Sequence, residues 1–193
     1  MIIIAKSKGM LSPYEIYNYY VIIYINKKGF EKPFEVYIDL EDLDKVKKYS
    51  WNIQYNKNNN EFYASTNIYY KTEDGKLKSY PLWMSRYILD ITERSRSIQA
   101  DHVGHDTLDN RKNNLRISKS GENSANRKGA NKNNKTTGVR NITYIERDNV
   151  YWVQFMKAGE RFRWIFPLSQ FEEAYEFAKK KRQELFGEFA GKE

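Results

Sequence analysis

In the first half of the chain, runs of β-branched and aromatic residues alternate with short polar breaks. Residues 19–25 are almost continuously apolar or aromatic, and Phe34, Val36 and Ile38 recur at the period of a half-buried strand. Asp39 and Glu41 then precede a helix-compatible stretch over 43–49. The pattern predicts strands over 51–55 and 62–70, joined by the Asn-rich turn 56–60. Asp74-Gly75 predicts a tight hairpin turn pairing 67–71 with 76–80. Leu82, Tyr87, Ile88 and Ile91 fall near helical spacing, which predicts a short helix over 81–91. Near the end of the chain, 139–144, 151–156 and 161–166 read as three short strands with turn residues between them. Ser169 and Glu172 have capping-box spacing before a helix whose apolar face is Phe171, Ala174, Tyr175, Ala178 and Leu185, with Gly187 as its C-cap. The charge run 179–182 is expected to be solvated.

Between these patterned regions lies a polar, Asn-rich tract. The chain has 33 Lys and Arg against 25 acidic residues, a formal charge of +8. Residues 101–135 contribute 8 basic and 4 acidic side chains, which is half of that excess. A basic surplus of this kind favours a polyanionic partner, most commonly nucleic acid. There is no cysteine, which removes disulfides, thiolate zinc sites and cysteine nucleophiles and fits a reducing compartment. No apolar run approaches the length of a membrane helix, and no signal-peptide pattern is present, so no membrane partner and an intracellular, cytoplasmic setting are expected.

Both histidines, His102 and His105, fall within the tract. Hydrolysis of a phosphodiester needs a base that works near neutral pH, which histidine supplies. It also needs a divalent cation to neutralise charge developing on the phosphate and leaving oxygen, and hard cations take oxygen from Asp and Asn. Asp101-His102 at a strand end, Asn114 after a hairpin-like loop and Asn123 on a following helix would provide these groups. Neighbouring strand residues point to opposite faces, so Asp101 and His102 can converge only where the strand bends or ends.

Asp101-His102, Leu108-Asp109-Asn110-Arg111, Asn113-Asn114-Leu115-Arg116, Asn123 and Asn126 together resemble HNH endonucleases of phage and homing type, in an H-N-N variant. The resemblance implies a ββα-metal core within 100–127, with His102 as general base, Asn114 bracing the loop and orienting the base, and Asp101 and Asn123 as metal ligands. The implied cation is Mg²⁺, with Mn²⁺ as an alternative, and no zinc. His105 stands where the family has a small residue and is expected to be exposed and incidental. Upstream, 34–51 is similar to the segment that precedes this core, and 82–89 to a short helix in which the family commonly has His-Arg where this chain has Ser85-Arg86. Downstream, Gly138 to Ile142, Trp152-Val153-Gln154 and the end of the helix are similar to the ethylene-response-factor type of DNA-binding domain.

The expected architecture is therefore α+β. A strand-rich region with the nuclease core occupies 1–130, a basic linker spans 118–137, and a three-stranded antiparallel sheet with one packed helix fills 138–193. Double-stranded DNA is the expected partner, bound by a monomer or a homodimer. Its expected contacts are Arg111, Arg116, Asn126, Arg127 and Lys128, followed by Arg140, Arg147, Trp152, Gln154, Arg161 and Arg163. Strand alternation puts Trp152 and Gln154 on one face and Val153 and Phe155 on the other, against the helix. Two other readings compete with a homing-type nuclease: a dimeric restriction enzyme, and a DNA-binding protein whose nuclease core is inert.

Overall fold

The computed structural model describes residues 2–3, 9–92, 97–119, 122, 125–126, 129–131 and 133–191. The protein is α+β, with four small antiparallel sheets among the described residues and a C-terminal helix against the last of them. Two compact units divide it, Met1–Ile117 and Ser118–Glu193. No helix among the described residues is long and apolar enough to cross a membrane.

In the first unit, β2 (Tyr14–Ile16), β3 (Tyr20–Ile25) and β4 (Phe34–Asp39) form one antiparallel sheet. Its inner face is built by alternation, as Val21, Ile23 and Ile25 meet Val36 and Ile38 in the core. A 3₁₀ turn and the short helix α1 (Leu43–Val46) follow, and the Trp51 indole donates to the Val46 carbonyl at 2.9 Å. That bond closes the end of α1 and buries the indole in the same core. The second sheet is organised by the long strand β6 (Glu61–Lys71). One edge of β6 carries β5 (Asn52–Asn56) and then β1 (Ile2–Ile3), and the other carries β7 (Leu77–Trp83).

The expected helix over 81–91 is corrected here: β7 runs through Pro81 to Trp83, and α2 is confined to Met84–Ile88. Proline is tolerated on an edge strand, and β7 is one. The buried Met84 and Ile88 then anchor α2. The strands β8 (Ile98–His102) and β9 (Leu115–Lys119) form a two-stranded ribbon flanking the polar loop.

In the second unit, β10 (Ile142–Ile145), β11 (Val150–Lys157) and β12 (Glu160–Pro167) pair in that order. The helix α3 (Phe171–Phe186) covers one face, packing Ala174 and Ala178 against Ile142, Val153 and Phe155. The expected capping box does not form. Ser169 belongs to a 3₁₀ turn, and Gln170 precedes the helix without a side-chain cap bond. Arg182 also departs from the expectation of a solvated run. It is buried, donating to Asn141 Oδ1 at 3.2 Å and to the Arg140 carbonyl.

Ahead of β10, the Asn134 amide donates to the carbonyls of Val139 (2.8 Å) and Ile142 (2.6 Å), which also accept from Ile142 N–H (3.4 Å) and from Thr137 Oγ1 (2.6 Å). Replacing Asn134 with Ala should cost the second unit about 0.5–1.5 kcal/mol, the range for a lost hydrogen bond whose acceptor keeps another donor. Faster amide hydrogen exchange of β11 is the readout, with unchanged exchange in β3 as the internal control.

Candidate functional site

The loop between β8 and β9 is organised by one side chain. Asn114 Oδ1 accepts from the Gly104 N–H at 2.8 Å, while its Nδ2 donates to the carbonyls of Asp106 (3.1 Å) and Asp109 (2.8 Å). The backbone of Asn114 also closes the ribbon, its carbonyl accepting from Val103 N at 2.9 Å. A β-carbon on Gly104 would lie 2.9 Å from Asn114 Oδ1, so glycine here permits the close approach. His105 occupies a left-handed turn position with φ +61° and its N–H bonds the His102 carbonyl. It is half-buried in the turn rather than exposed.

Asp101 and His102 are the last two residues of β8, and both are buried, at 5% and 7% exposure. They have different neighbours. The Asp101 carboxylate accepts one hydrogen bond from Arg116 on β9, from Nε to Oδ2 at 2.8 Å, and Arg116 Nη2 lies 2.7 Å from the same oxygen in an ion pair. The His102 ring lies 3.4 Å from Asn110 Oδ1 through Nε2 and sits edge-on to Tyr63, ring centroids 6.1 Å apart.

Asn110 is 2% exposed, and its Nδ2 donates to the Leu108 carbonyl at 3.1 Å. That bond turns the amide oxygen toward His102. An amide oxygen can only accept, so in this contact Nε2 is the donor. Burial lowers the His102 pKa below its ordinary value, against opposing contributions from Asn110 and from Asp101, Asp106 and Asp109. The ring is therefore neutral at pH 7. Asn110 and Tyr63 had no assigned role in the sequence. Asn110 stood inside the motif, but nothing in its spacing indicates which ring nitrogen it meets. Tyr63 comes from β6, far away in sequence.

The expected DNA contacts of this unit are engaged in ion pairs. Arg116 holds Asp101, and Arg111 pairs with Asp109 through Nε at 2.8 Å and Nη2 at 2.7 Å. Asn123, Arg127 and Lys128 lie outside the described residues. Among the described residues, no three His, Asp or Glu side chains converge as a metal cluster. Of the two expected ligands only Asp101 is among the described residues, and its Oδ2 is paired with Arg116. Carboxylate and amide oxygens are donor types that suit Mg²⁺.

In the second unit, Trp152, Gln154, Arg161 and Arg163 share the sheet face opposite α3. The Arg163 guanidinium lies 3.7 Å from the Trp152 ring centroid and donates to Gln154 Oε1 at 3.3 Å. Two of the expected arginines lie elsewhere. Arg147 is exposed in the 3₁₀ turn after β10, paired with Asp148. Arg140 is 6% exposed and donates to the Ala125 carbonyl at 2.6 Å. Asn126 is also buried. A cleft of about 460 Å³ is nonetheless lined by Arg140, Gln154 and Arg161 together with Asn131 and Asn134. Comparison with protein-family models, with curated proteins and with solved structures gives no match.

Two tests follow from the loop geometry. Gly104→Ala should destabilise the first unit by about 1–3 kcal/mol, because the methyl group drives Asn114 off its three partners. Urea denaturation measures this, and an unchanged midpoint would mean that Asn114 yields without loss. The second concerns pH. The folded His102 pKa lies below 6.5, so on acidification the unfolded chain protonates first. The histidine's contribution should be constant above about pH 6.5 and fall as pH drops below it. The urea midpoint of wild type should therefore fall more steeply between about pH 7 and pH 5.5 than that of His102→Gln.

Proposed function

We propose that this chain is a metal-dependent DNA endonuclease of the HNH type, with a C-terminal DNA-recognition unit of ethylene-response-factor kind. The observation that carries this reading is the constellation at the end of β8: a neutral histidine beside an aspartate, its Nε2 donating to Asn110 and its loop clamped by Asn114.

In this reading His102 accepts a proton from the attacking water at Nδ1, while Asn110 keeps the opposite nitrogen protonated. The lowered pKa favours the neutral base at physiological pH. Arg116 fixes the Asp101 carboxylate through Oδ2, which orients the other oxygen as a ligand. Asp101 and Asn123 would hold the divalent cation, Mg²⁺ or Mn²⁺. When bound, such a cation neutralises charge on the scissile phosphate and the leaving oxygen. Asn114 holds the loop that carries these groups, and Gly104 lets it approach.

Double-stranded DNA as substrate is supported by the basic excess and by the second unit's exposed face. Trp152, Gln154, Arg161 and Arg163 combine a flat ring, an amide and two guanidinium groups, the side-chain types that read base edges and phosphates. An intracellular setting, in a phage or its bacterial host, belongs to the same reading. A second reading is favoured by the low exposure of His102: the histidine is a structural member of the core, and the protein binds DNA without cutting it.

One comparison separates the two. His102→Ala should lower Mg²⁺-dependent cleavage of plasmid DNA by roughly 10²–10⁴-fold, the range for losing a positioned base, with DNA affinity retained. Excess EDTA should stop cleavage by the wild type. Absence of cleavage by the wild type with any divalent cation, or full activity of His102→Ala, would leave only the binding reading.

A further inference from the structure

The two faces of the β2–β3–β4 sheet differ in chemistry. The inner face is aliphatic. On the outer face the register puts Glu15 and Tyr37 on either side of Ile22, and Glu35 opposite Tyr24, with Tyr20 completing β3. Tyr17, just beyond β2, folds onto the same face. Its ring stacks on Tyr20 with centroids 4.8 Å apart and planes 7° from parallel, and its hydroxyl donates to Glu15 Oε2 at 2.7 Å. The Tyr37 hydroxyl likewise donates to Glu35 Oε2 at 2.7 Å. Ile22 is only 7% exposed although it lies on this outer side, so the phenol rings around it form a roof.

The face thus offers aromatic π surfaces bordered by carboxylates whose positions are set by phenol hydrogen bonds. Those bonds, the leading cause, push the Tyr17 and Tyr37 hydroxyls up to about 12, so both stay protonated donors. Glu15 and Glu35 are exposed. A polyanion such as DNA would meet two carboxylates here, whereas a planar cation meets rings and opposite charge at once. One guanidinium already does so. Arg111, held by Asp109, lies 5.5 Å from the Tyr20 ring centroid and 5.6 Å from that of Tyr37. The chain therefore shows on itself which group the edge of this face accepts.

We propose that the outer face of this sheet, with Tyr17, Tyr20, Tyr24 and Tyr37 framed by Glu15 and Glu35, is a docking surface for an arginine-bearing basic segment of a protein partner. The guanidinium groups stack on the rings and pair with the two carboxylates, repeating along the sheet what Arg111 does at its edge. The surface is separate from the nuclease reading and stands or falls without it. It also gives a chain of charge +8 a place for a cationic partner, which the basic remainder of its surface would repel.

The test is titration of the isotopically labelled full chain with a short synthetic arginine–glycine peptide at low ionic strength, followed by two-dimensional NMR. Saturable shifts in residues of β2, β3 and β4 are expected, with weaker binding when lysine replaces arginine. The double variant Glu15→Gln, Glu35→Gln should bind about tenfold more weakly. Tyr20→Leu should also lose affinity, whereas Tyr20→Phe, which keeps the ring, should retain it. The fold of each variant is checked by its thermal transition, and the exposed Gln pair keeps the test valid if Tyr20→Leu unfolds. Equal affinity of the double Gln variant overturns the proposal. So do peptide-induced shifts confined to residues 118–193. Shifts of this face that arise with a DNA oligonucleotide, or with protein concentration alone, overturn it in favour of a nucleic-acid or self-association surface.

Discussion

Two backbone hydrogen bonds at Tyr37 hold the polar loop to the core. The Tyr37 N–H donates to the Leu108 carbonyl at 2.9 Å, and Asn110 N–H donates to the Tyr37 carbonyl at 2.8 Å. They extend the edge of β4 by one parallel bridge, Tyr37 to Asp109. From this attachment the rest of the site takes its position. Asn110 is set with its amide toward His102, Asp109 offers its carbonyl to Asn114, and Arg111 is swung over the tyrosines of the outer sheet face. Lys112 then reaches back to the start of the first helical turn, its N–H on Asp39 and its ammonium on Glu41 and Asp42. A loop of such polarity has little apolar surface to bury, so its order derives from hydrogen bonds to a sheet that is already rigid.

The strands were legible because their signals are local. Alternation through Phe34, Val36 and Ile38, the Asn-rich turn and Asp74-Gly75 each depend on residues within a few positions, and each appears where the pattern put it. Errors arose where local propensity met tertiary context. Helical spacing after Pro81 was outweighed by pairing with β6, and Ser169 had cap chemistry but fell within a 3₁₀ turn. Arg140 was expected on DNA and Arg182 in a solvated run. Their burial depends on carbonyl and amide acceptors at Ala125 and Asn141, which linear spacing does not display. The same holds at the site. Asp101, His102 and Asn114 were visible as types in an order, whereas Asn110 under the ring and Tyr63 beside it are products of the fold.

The two units handle buried polarity differently. In the first, Asp101, His102 and Asn110 are buried near the loop and Asp42, Ser65 and Ser85 elsewhere, whereas the second buries two arginines, Arg140 and Arg182. In the second, an aromatic-rich core sits between sheet and helix, with Trp164 edge-on to Phe177 at 5.1 Å and Phe171 edge-on to Tyr151 at the same distance. On the opposite face of the sheet, Arg163 is held by Trp152 and Gln154.

The stack of Arg163 on Trp152 has a consequence of its own. A cation resting on an indole at an exposed site is held by about 0.5–1 kcal/mol. Stacking uses the flat face of the guanidinium and leaves its in-plane N–H groups able to donate, as Arg163 already does to Gln154 Oε1. Trp152 therefore fixes the plane in which Arg163 presents its donors. A ligand with paired acceptors in that plane is met without rearrangement, whereas a diffuse negative charge gains nothing from the orientation. The stack thus filters ligands by geometry before affinity is considered.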